Sequence, residues 1–437
     1  MRVLVVSLFY PPYNSAGAVR LGKTTEQLIA RGHQVRIVTA SPQPLPPNLA
    51  TTVPECFVHR TPWLAPPSSQ QRPESGARAL ASPVAGSSGV VRAKSYESLR
   101  WVFRNAIYLP DKYVGWFPFA VPAIKADIKR ESFDVALASA GPATSLLACH
   151  VALRHSHVPW VAEFRDLWAG NHFSTRAPWQ SHLDMRLEKA VVQSAAAIVT
   201  VNGTLALTLA RRHRKRVTVV ANGYDETWRD MGCSIQPPPK RGDRRLRILF
   251  SGTFFPGRHD FAPFFRGLAM LGPKVHEFDV RFVGPDTHLI SAEAADYGLT
   301  GAVSTAPTTS RDSILAMQVS SDVLLLPTSR EATSQDVLPA KLYEYAAAGV
   351  PILAVTPERT AIAKAVRDFG FGLATRDHRR IGVWLNDLLV TQAYAPGIQP
   401  RRDPPPELSR AAQVDILESL LHEVASTDRI SPGLKAT

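Results

Sequence analysis

Residues 1–40 read MRVLVVSLFYPPYNSAGAVRLGKTTEQLIARGHQVRIVTA, and the period of their apolar residues changes twice. Residues 3–9 form a short, almost wholly apolar run that is typical of a buried strand. Residues 20–31 place apolar side chains among polar ones at helical spacing and end before Gly32, a residue suited to a helix C-terminus. Residues 35–38 are apolar again. Strand, helix and strand in this order predict a βαβ unit, and therefore a parallel sheet.

The same pattern continues along the chain and predicts two doubly wound α/β domains. In the first half, apolar runs predict further strands at residues 135–138, 160–164, 197–201 and 217–220. In the second half, the pattern predicts strands at 246–250, 280–283, 323–327, 352–355 and 371–374, and helices at 261–271, 311–320, 339–348 and 359–368. We predict a Rossmann-like domain over 1–235, a second over 245–395, and a segment over 396–437 whose helix packs back on the first domain.

Two stretches of the first half lie outside this pattern. Residues 64–92 are rich in Pro, Ser, Gly and Ala, which predicts a mobile surface loop. Residues 96–107 then place apolar residues at helical spacing with basic residues between them. Two interpretations remain open for this helix: it packs on the core, or it lies on a membrane surface.

The net charge of +13 is concentrated in the first half of the chain. Residues 1–230 contain 27 Lys and Arg against 15 Asp and Glu, whereas residues 231–437 contain 23 against 22. A basic domain favours an anionic partner, such as an anionic membrane surface or a lipid-phosphate acceptor, although a solvated basic surface has the same composition. Aromatic residues do not interleave with the basic ones as in RNA-binding modules, so we expect no nucleic-acid partner.

The cysteines and the hydropathy bear on the compartment. Cys56, Cys149 and Cys233 lie far apart and have the spacing of neither a disulfide framework nor a metal site. No apolar run approaches the roughly 18 residues of a membrane helix. The first apolar run continues into Pro11 and Pro12 without a cleavage site of small residues, so we interpret it as a strand and not as a signal peptide. We expect a cytoplasmic protein, with a peripheral position on the inner face of the membrane as an alternative.

Residues 336–351, DVLPAKLYEYAAAGVP, have the ends of a short helix. Pro339 fits the first helical turn, and Gly349 fits the helix C-terminus. The backbone around Leu338, Pro339 and Ala340 then lies at the positive pole of the helix, where N–H groups bind a diphosphate well.

Charged side chains of the same stretch add to this prediction. Lys341 places a positive charge in the first turn, Glu344 lies deeper in the helix, and Asp336 precedes the helix. Two carboxylates so placed can accept hydrogen bonds from different hydroxyls of one extended sugar nucleotide. An ordinary capped surface helix has a similar sequence, so the stretch does not identify a site by itself.

This stretch resembles the donor-binding segment of the retaining glycosyltransferases of family 4, which have the GT-B fold. The family's signature is two glutamates separated by seven residues, and here Asp336 and Glu344 keep that spacing. Residues 347–353, AAGVPIL, resemble the run that follows in the family. The resemblance implies that Glu344 binds the ribose hydroxyls and Asp336 the transferred sugar, in an α/β protein with two Rossmann-like domains that face each other across a cleft.

Residues 250–258, FSGTFFPGR, resemble the family's loop after the first strand of the second domain. Gly252 allows the backbone to approach a ligand closely. Arg258 is a persistent cation, suited to a departing nucleoside diphosphate. The family commonly places a lysine about five residues later, but residue 263 is Pro. We therefore expect Lys341 to supply the second cation.

Residues 10–20, YPPYNSAGAVR, resemble the family's proline- and glycine-containing loop after the first strand. Only Gly17 of the two usual glycines is kept, and the resemblance places it against the donor. Arg20 is expected to open the following helix, from where it can reach an anionic group.

Residues 163–168, EFRDLW, follow a predicted strand of the first domain. Asp166 is placed to contact the acceptor hydroxyl or to orient the donor sugar, and Trp168 is placed to stack on a sugar ring. Residues 222–225, NGYD, match a turn of the family, and we expect a structural role for them at the domain junction.

The implied reaction moves a sugar from a nucleoside-diphosphate sugar to a saccharide, lipid-linked or small-molecule hydroxyl, with retention, as in polysaccharide or glycolipid synthesis. No Asp-x-Asp motif lies near the predicted site, so we expect Arg258, Lys341 and helix N–H groups to stabilise the leaving group without a metal ion or cofactor. Front-face transfer and a double displacement with Asp166 as nucleophile both remain open. The alternatives are a nucleotide-sugar epimerase of the same fold and a non-enzymatic basic protein that binds nucleic acid or sugar.

Overall fold

The structure is a computed structural model, which describes residues 1–65, 109–171, 178–225, 244–256, 259–328, 338–391 and 404–429. The predicted loop at 64–92, apart from its first two residues, lies outside the described residues, and so does the whole of the helix predicted at 96–107. The chain forms two compact units. The first unit consists of two segments of the chain, one that ends at Ala221 and one that begins at Gln413. The second unit spans Asn222–Ala412.

The first unit is built on one parallel sheet. Its strands are β1 (Arg2–Val6), β2 (Gln34–Ala40), β3 (Val58–Thr61), β4 (Val135–Ala140), β5 (Trp160–Phe164), β6 (Ala197–Thr200) and β7 (Val217–Val219). They lie in the order β3-β2-β1-β4-β5-β6-β7. Its helices before the second unit are α1 (Ala16–Ala30), α2 (Phe117–Arg130), α3 (Thr144–Leu153), α4 (Pro178–Gln193) and α5 (Gly203–His213).

Helices cover both faces of this sheet, and β1 shows why its sequence is continuously apolar. Leu4 and Val6 pack into one core cluster, whereas Val3 and Val5 pack into another. Successive side chains of a strand point to opposite faces, so a strand covered on both sides needs apolar residues at every position. The run is therefore a fully buried central strand.

The helix α1 begins at Ala16, four residues before the predicted start at Arg20. The Ser15 side chain accepts a hydrogen bond from the Ala18 N–H at 3.1 Å and so caps the helix. The prediction that Arg20 opens the helix is wrong, because the cap lies in the small-residue stretch that has no apolar period.

The second unit repeats the architecture with a smaller parallel sheet. Its strands are β8 (Leu246–Ser251), β9 (Phe278–Val283), β10 (Val303–Ala306), β11 (Val323–Pro327), β12 (Ile352–Val355) and β13 (Gly372–Ala374), in the order β10-β9-β8-β11-β12-β13. Its helices are α6 (Ala262–Ala269), α7 (His288–Ala295), α8 (Arg311–Val319), α9 (Ala340–Ala348), α10 (Ala361–Asp368) and α11 (His378–Thr391).

The last helix, α12 (Arg410–Arg429), belongs from Gln413 onward to the first unit. Its residues Leu417 and Leu421 are buried in the same core cluster as Val3 and Val5. The two ends of the chain therefore complete one hydrophobic core. Among the described helices, none combines the length and the apolarity that crossing a bilayer requires.

Candidate active site

Each sheet has one point where the chain reverses its direction of travel across the strands. The first sheet reverses between β1 and β4, and the second reverses between β8 and β11. The loops that follow two such strands diverge, and ligands of open parallel sheets bind there, beyond the carboxyl ends of the strands. Gly17 follows β1, Gly252 follows β8, and Lys341 follows β11.

The structure brings Gly252 and Lys341 of the second unit together. The Lys341 side chain passes so close to Gly252 that a β-carbon there would overlap the lysine Cε and Nζ atoms. Gly252 also has a φ of 125°, a conformation that residues with a side chain rarely adopt. The Lys341 ammonium lies 4.3 Å from the centroid of the Phe250 ring, a distance typical of a cation–π contact. A helix side chain thus places its charge at the end of the neighbouring strand.

Burial changes the ionisation of Lys341. It lowers the pKa of this lysine to about 8, and the negative charge of Glu344 partly opposes the change. Lys341 is therefore still mainly protonated at pH 7. A cation that has lost much of its hydration gains more from an incoming phosphate than a solvated one does.

The first turn of α9 supplies backbone donors beside Lys341. Pro339 is the N-cap and not a first-turn residue, and Ala340 opens the helix. Pro339 has no N–H to offer a ligand, and its carbonyl accepts the Leu342 N–H at 3.0 Å. The N–H groups of Ala340 and Lys341 point along the helix axis without an intrahelical acceptor, as at every helix N-terminus. Leu338 packs partly against the apolar core.

Glu344 lies one helical turn after Lys341 and is partly buried. Burial raises the pKa of its carboxyl, while the positive charges of Arg311, Lys341 and Arg410 oppose this change. A single carboxylate is thus surrounded by cations from three elements. Such a group can accept hydrogen bonds from hydroxyls while its charge is balanced within the unit.

In the first unit, Gly17 is covered by Arg165, which was not predicted as a site residue. A β-carbon at Gly17 would overlap the Arg165 guanidinium. Arg165 follows β5, and it donates hydrogen bonds to the carbonyls of Ala140 at 3.0 Å and Gly141 at 2.7 Å. Gly17 is therefore needed for Arg165, in addition to any contact with a ligand. The position of Arg165 directly after a predicted strand is the sequence feature that could have identified it as a site residue.

The arginine lies in a crowded electrostatic environment. Burial lowers the pKa of Arg165, Glu163 and Asp166 oppose the change, and Arg20 adds to it. A guanidinium nevertheless stays protonated at neutral pH. Because it lies over the first turn of α1, an anion there would meet both the guanidinium and the positive pole of the helix.

Arg20 does not reach toward a ligand, and that prediction is wrong. Its Nε lies 2.9 Å from Glu163 Oε1, and its other nitrogens donate to the carbonyls of Val220 and Ala221 at 2.8 Å. Burial alone would raise the pKa of Glu163, but the neighbouring positive charges of Arg20 and Arg165 hold it below its ordinary value. Arg20 therefore joins α1 to the sheet.

The loop after β5 exposes Asp166 and buries Trp168. Trp168 Nε1 donates to Asp184 Oδ1 at 3.2 Å, and the ring packs in the core. The prediction that Trp168 stacks on a sugar is therefore wrong. Glu188 accepts the Ala169 N–H at 2.7 Å, which fixes the loop after Asp166.

Two predicted site residues, Arg258 and Asp336, lie outside the described residues. The NGYD turn is described: the Tyr224 N–H donates to the Leu408 carbonyl at 3.0 Å, and the Arg410 N–H donates to the Tyr224 carbonyl at 2.8 Å. This pairing explains why the second unit begins before residue 245 and ends after residue 395.

Among the comparisons with known proteins, the match to a protein-family model lies in the first half of the chain. Residues 15–223 match the family model of the glycosyl transferase 4-like domain. This range contains Gly17, Arg165 and Asp166. No curated protein matches the sequence significantly.

Solved structures share the architecture of almost the whole chain. Sucrose-phosphate synthase from Thermosynechococcus elongatus has 14% identity and a TM-score of 0.60, with 98% of this chain and 100% of that chain covered. HepE of Anabaena, solved with UDP-glucose, has 12% identity and a TM-score of 0.52, with 99% of each chain covered. A UDP-N-acetylglucosamine 2-epimerase has 13% identity and a TM-score of 0.51, with 97% of this chain and 95% of that chain covered. At these identities the likeness shows the fold, and the predicted GT-B fold is confirmed.

Proposed function

We propose that this chain, which is a glycosyltransferase with the GT-B fold, transfers a sugar from a nucleoside-diphosphate sugar to an acceptor hydroxyl with retention of configuration. One observation carries the proposal. Lys341 lies against Gly252 at the reversal point of the second sheet, in the first turn of α9. A diphosphate binds well where three features meet: a glycine that lets the backbone approach, a partly dehydrated cation, and helix N–H groups without an intrahelical acceptor.

The donor nucleotide binds along this arrangement. The α9 N–H groups of Ala340 and Lys341 hold the diphosphate, Gly252 lets the backbone approach it, and Glu344 accepts the ribose hydroxyls. The role of Asp336 toward the transferred sugar rests on its spacing from Glu344. HepE of Anabaena was solved with UDP-glucose, so uridine diphosphate sugars are the first donors to test.

The transfer step is a front-face displacement in which the leaving phosphate takes the proton of the acceptor hydroxyl. Lys341, Arg258 and the α9 N–H groups stabilise the negative charge that develops on the departing diphosphate. Asp166, exposed at the end of β5, contacts the acceptor hydroxyl or orients the donor sugar. We propose that no cofactor other than the nucleotide sugar takes part, because these cations supply the charge that a metal ion would otherwise supply.

A nucleotide-sugar panel tests the reaction. The purified chain is incubated with UDP-, GDP-, dTDP- and ADP-sugars, with and without simple saccharide acceptors, and products are followed by NMR. Slow release of a sugar with the donor's anomeric configuration supports the proposal, and addition of Mg²⁺ or Mn²⁺ to the dialysed enzyme leaves the rate unchanged. A C2 epimer of the donor would instead identify an epimerase, and binding of RNA with no nucleotide sugar turned over would identify a non-enzymatic protein.

The two mechanisms are separated by intact-mass measurement. In front-face transfer no sugar becomes attached to the chain, and Asp166→Asn lowers the rate without an adduct. A glycosyl adduct on Asp166 during turnover would show a double displacement.

The basic charge of residues 1–230 supports a lipid-linked acceptor at an anionic membrane surface, in polysaccharide or glycolipid synthesis. Sedimentation with vesicles tests this part alone. We expect binding to vesicles that contain phosphatidylglycerol at low salt and release at about 0.5 M salt, where the Debye length falls below about 5 Å. No binding at low salt would remove the membrane from the proposal and leave the transfer reaction standing.

A further inference from the structure

Three metal-ligating side chains meet on the first unit, away from the candidate active site. They are His33, at the turn between α1 and β2, and Glu418 and His422, one turn apart on α12. Each offers one ligand atom, and the three atoms lie within 4.8 Å of one another. We propose that these residues bind a zinc ion that ties the C-terminal helix to the first unit.

The geometry is close to that of a zinc site. His33 Nε2 lies 2.7 Å from Glu418 Oε1, and His422 Nε2 lies 4.0 Å from the same oxygen. Around a tetrahedral zinc ion with bonds of roughly 2.0–2.1 Å, two ligand atoms are about 3.3 Å apart. The two observed distances lie on either side of this value. The site would therefore form if His33 moved away from Glu418 and His422 moved toward it, each by about 1 Å or less.

The surroundings favour a site that is half built before the ion arrives. His33 is 8% exposed, so its ring is held in place by the fold, whereas His422 is exposed and its ring centroid lies 5.8 Å from that of His33. Arg31 contacts the other carboxylate oxygen, Glu418 Oε2, at 3.7 Å and Asp415 at 2.8 Å. Oε1 of Glu418 is thereby turned toward the two histidines. These three side chains leave one position of a tetrahedral ion for a water molecule.

The chemistry of the ligands selects the ion. Two imidazoles and one carboxylate suit zinc, whereas Mg²⁺ and Ca²⁺ prefer oxygen ligands alone. Both imidazoles must bind as neutral groups, so zinc competes with protons and its affinity falls as the pH is lowered. His33 Nδ1 lies 3.1 Å from the Met1 ammonium nitrogen, so the positive charge of that group opposes a cation bound to the same ring.

The ion would act on stability. His33 and Glu418 are separated by 385 positions in the sequence, and the whole second unit lies between them. Only the folded first unit brings His33 and Glu418 together, so only the folded state binds zinc at this site. Zinc therefore raises the free energy of unfolding, and the increase grows with the ratio of the zinc concentration to its Kd.

The experiment uses the full chain after dialysis against a chelator. Zinc is titrated in competition with a chromophoric chelator, and Co²⁺ is titrated with its visible spectrum recorded. The variants are His422→Ala and Glu418→Gln, and the matched control is His182→Ala, another exposed histidine on a helix of the same unit. Circular dichroism checks that each variant is folded.

We expect one equivalent of zinc in the wild type and in His182→Ala, with affinity at least tenfold weaker in both site variants. We also expect an intense visible Co²⁺ spectrum, typical of four-coordinate cobalt, in the wild type and in His182→Ala but not in the two site variants. Zinc should raise the Tm of the wild type and leave that of His422→Ala unchanged. Equal zinc affinity in the wild type and His422→Ala, or no zinc bound, would overturn the proposal. Neither result bears on the transfer reaction, because the site shares no residue with it.

Discussion

The guanidinium of Arg165 occupies the space that a β-carbon of Gly17 would need. Arg165 follows β5 and Gly17 lies in the first turn of α1, so this contact joins the loop after β5 to the helix after β1 across the carboxyl end of β4. Gly17→Ala should displace the guanidinium and lower kcat/KM by at least about tenfold, whereas in an Arg165→Ala background the same change should cost little. We expect a coupling of about 1–3 kcal/mol in this double-mutant cycle.

Gly203→Ala is the control for this cycle. Gly203 also lies at the start of a helix, and a β-carbon there would meet no atom within 4 Å. Additive effects of the Gly17 and Arg165 substitutions would show that the arginine is not what requires the glycine.

Gly252→Ala should weaken nucleotide binding by displacing Lys341. The new β-carbon overlaps the lysine side chain, and the backbone φ of 125° disfavours alanine in addition. Gly298→Ala isolates the second effect, because Gly298 has a φ of 71° and open space around it. In calorimetry we expect both variants to lose stability and only Gly252→Ala to lose affinity for UDP, by about tenfold or more. Unchanged UDP affinity in Gly252→Ala would remove the diphosphate from this place.

Donor affinity should fall as the pH rises through about 8, the pKa of Lys341 in the free protein. The protonated lysine attracts the diphosphate, and above this pH the protein must take up a proton in order to bind. The dissociation constant for UDP should therefore rise about tenfold per pH unit above the pKa. Lys341→Met should bind UDP about 10- to 100-fold more weakly at pH 7, as expected for one charge-assisted contact, and should show no such pH dependence.

The same substitution should stabilise the chain at neutral pH. The folded state lowers the pKa of Lys341 below that of an unfolded lysine, so the unfolded chain binds more protons between about pH 8 and 10 and stability rises with pH in that window. Lys341→Met removes this cost, and we expect a gain of about 1–3 kcal/mol at pH 7 that disappears by about pH 10. Urea denaturation at pH 7 and 10 measures it, and a loss of stability at pH 7 would contradict it.

Glu344→Gln should weaken nucleoside-diphosphate binding by about 10- to 100-fold, because a carboxylate that accepts ribose hydroxyls is replaced by a weaker acceptor. The raised pKa of Glu344 adds a pH effect, because the carboxylate becomes protonated at a higher pH than an ordinary glutamate. On acidification, the affinity of the wild type should therefore begin to fall at a higher pH than it would with an ordinary glutamate at this position. The control is Glu358→Gln, an exposed carboxylate in the same unit. Equal affinity in the two variants would exclude Glu344 from the ribose.

Arg20→Met should damage stability and leave donor affinity intact. It strands the buried Glu163 without its cation, at a cost of about 3–5 kcal/mol in the free energy of unfolding. The double variant Arg20→Met with Glu163→Leu should recover most of that loss, because neither member of the buried pair is left without its partner. If the UDP dissociation constant rose tenfold in the folded Arg20→Met protein, Arg20 would belong to the site after all.

Strands could be predicted from this sequence better than helices. The runs at 160–164, 323–327 and 352–355 coincide with β5, β11 and β12, because a strand buried on both faces shows as a continuous apolar run. The helix α3 was not predicted, since it is buried over most of its surface and has no polar face to give it a period.

The candidate site shows the same division. The spacing from Asp336 to Glu344 and the helix ends around Ala340–Ala348 were visible as local patterns, since helix caps and motif distances are properties of neighbouring residues. The cover that Arg165 places on Gly17, the capture of Arg20 by Glu163 and the burial of Trp168 were not visible, because each joins residues that only the strand order makes neighbours.

By itself, therefore, the sequence determined the parallel α/β architecture, its division into two units and the helix that carries Lys341 and Glu344. Each of these follows from apolar period, chain punctuation and local spacing. Only the tertiary structure decided which charged side chains lie at the candidate site and which are paired with other residues in the interior. That choice depends on burial and on contacts between distant segments. Lys341 of α9 lies over Gly252 at the end of β8, and His33 lies beside Glu418, 385 positions away in the sequence.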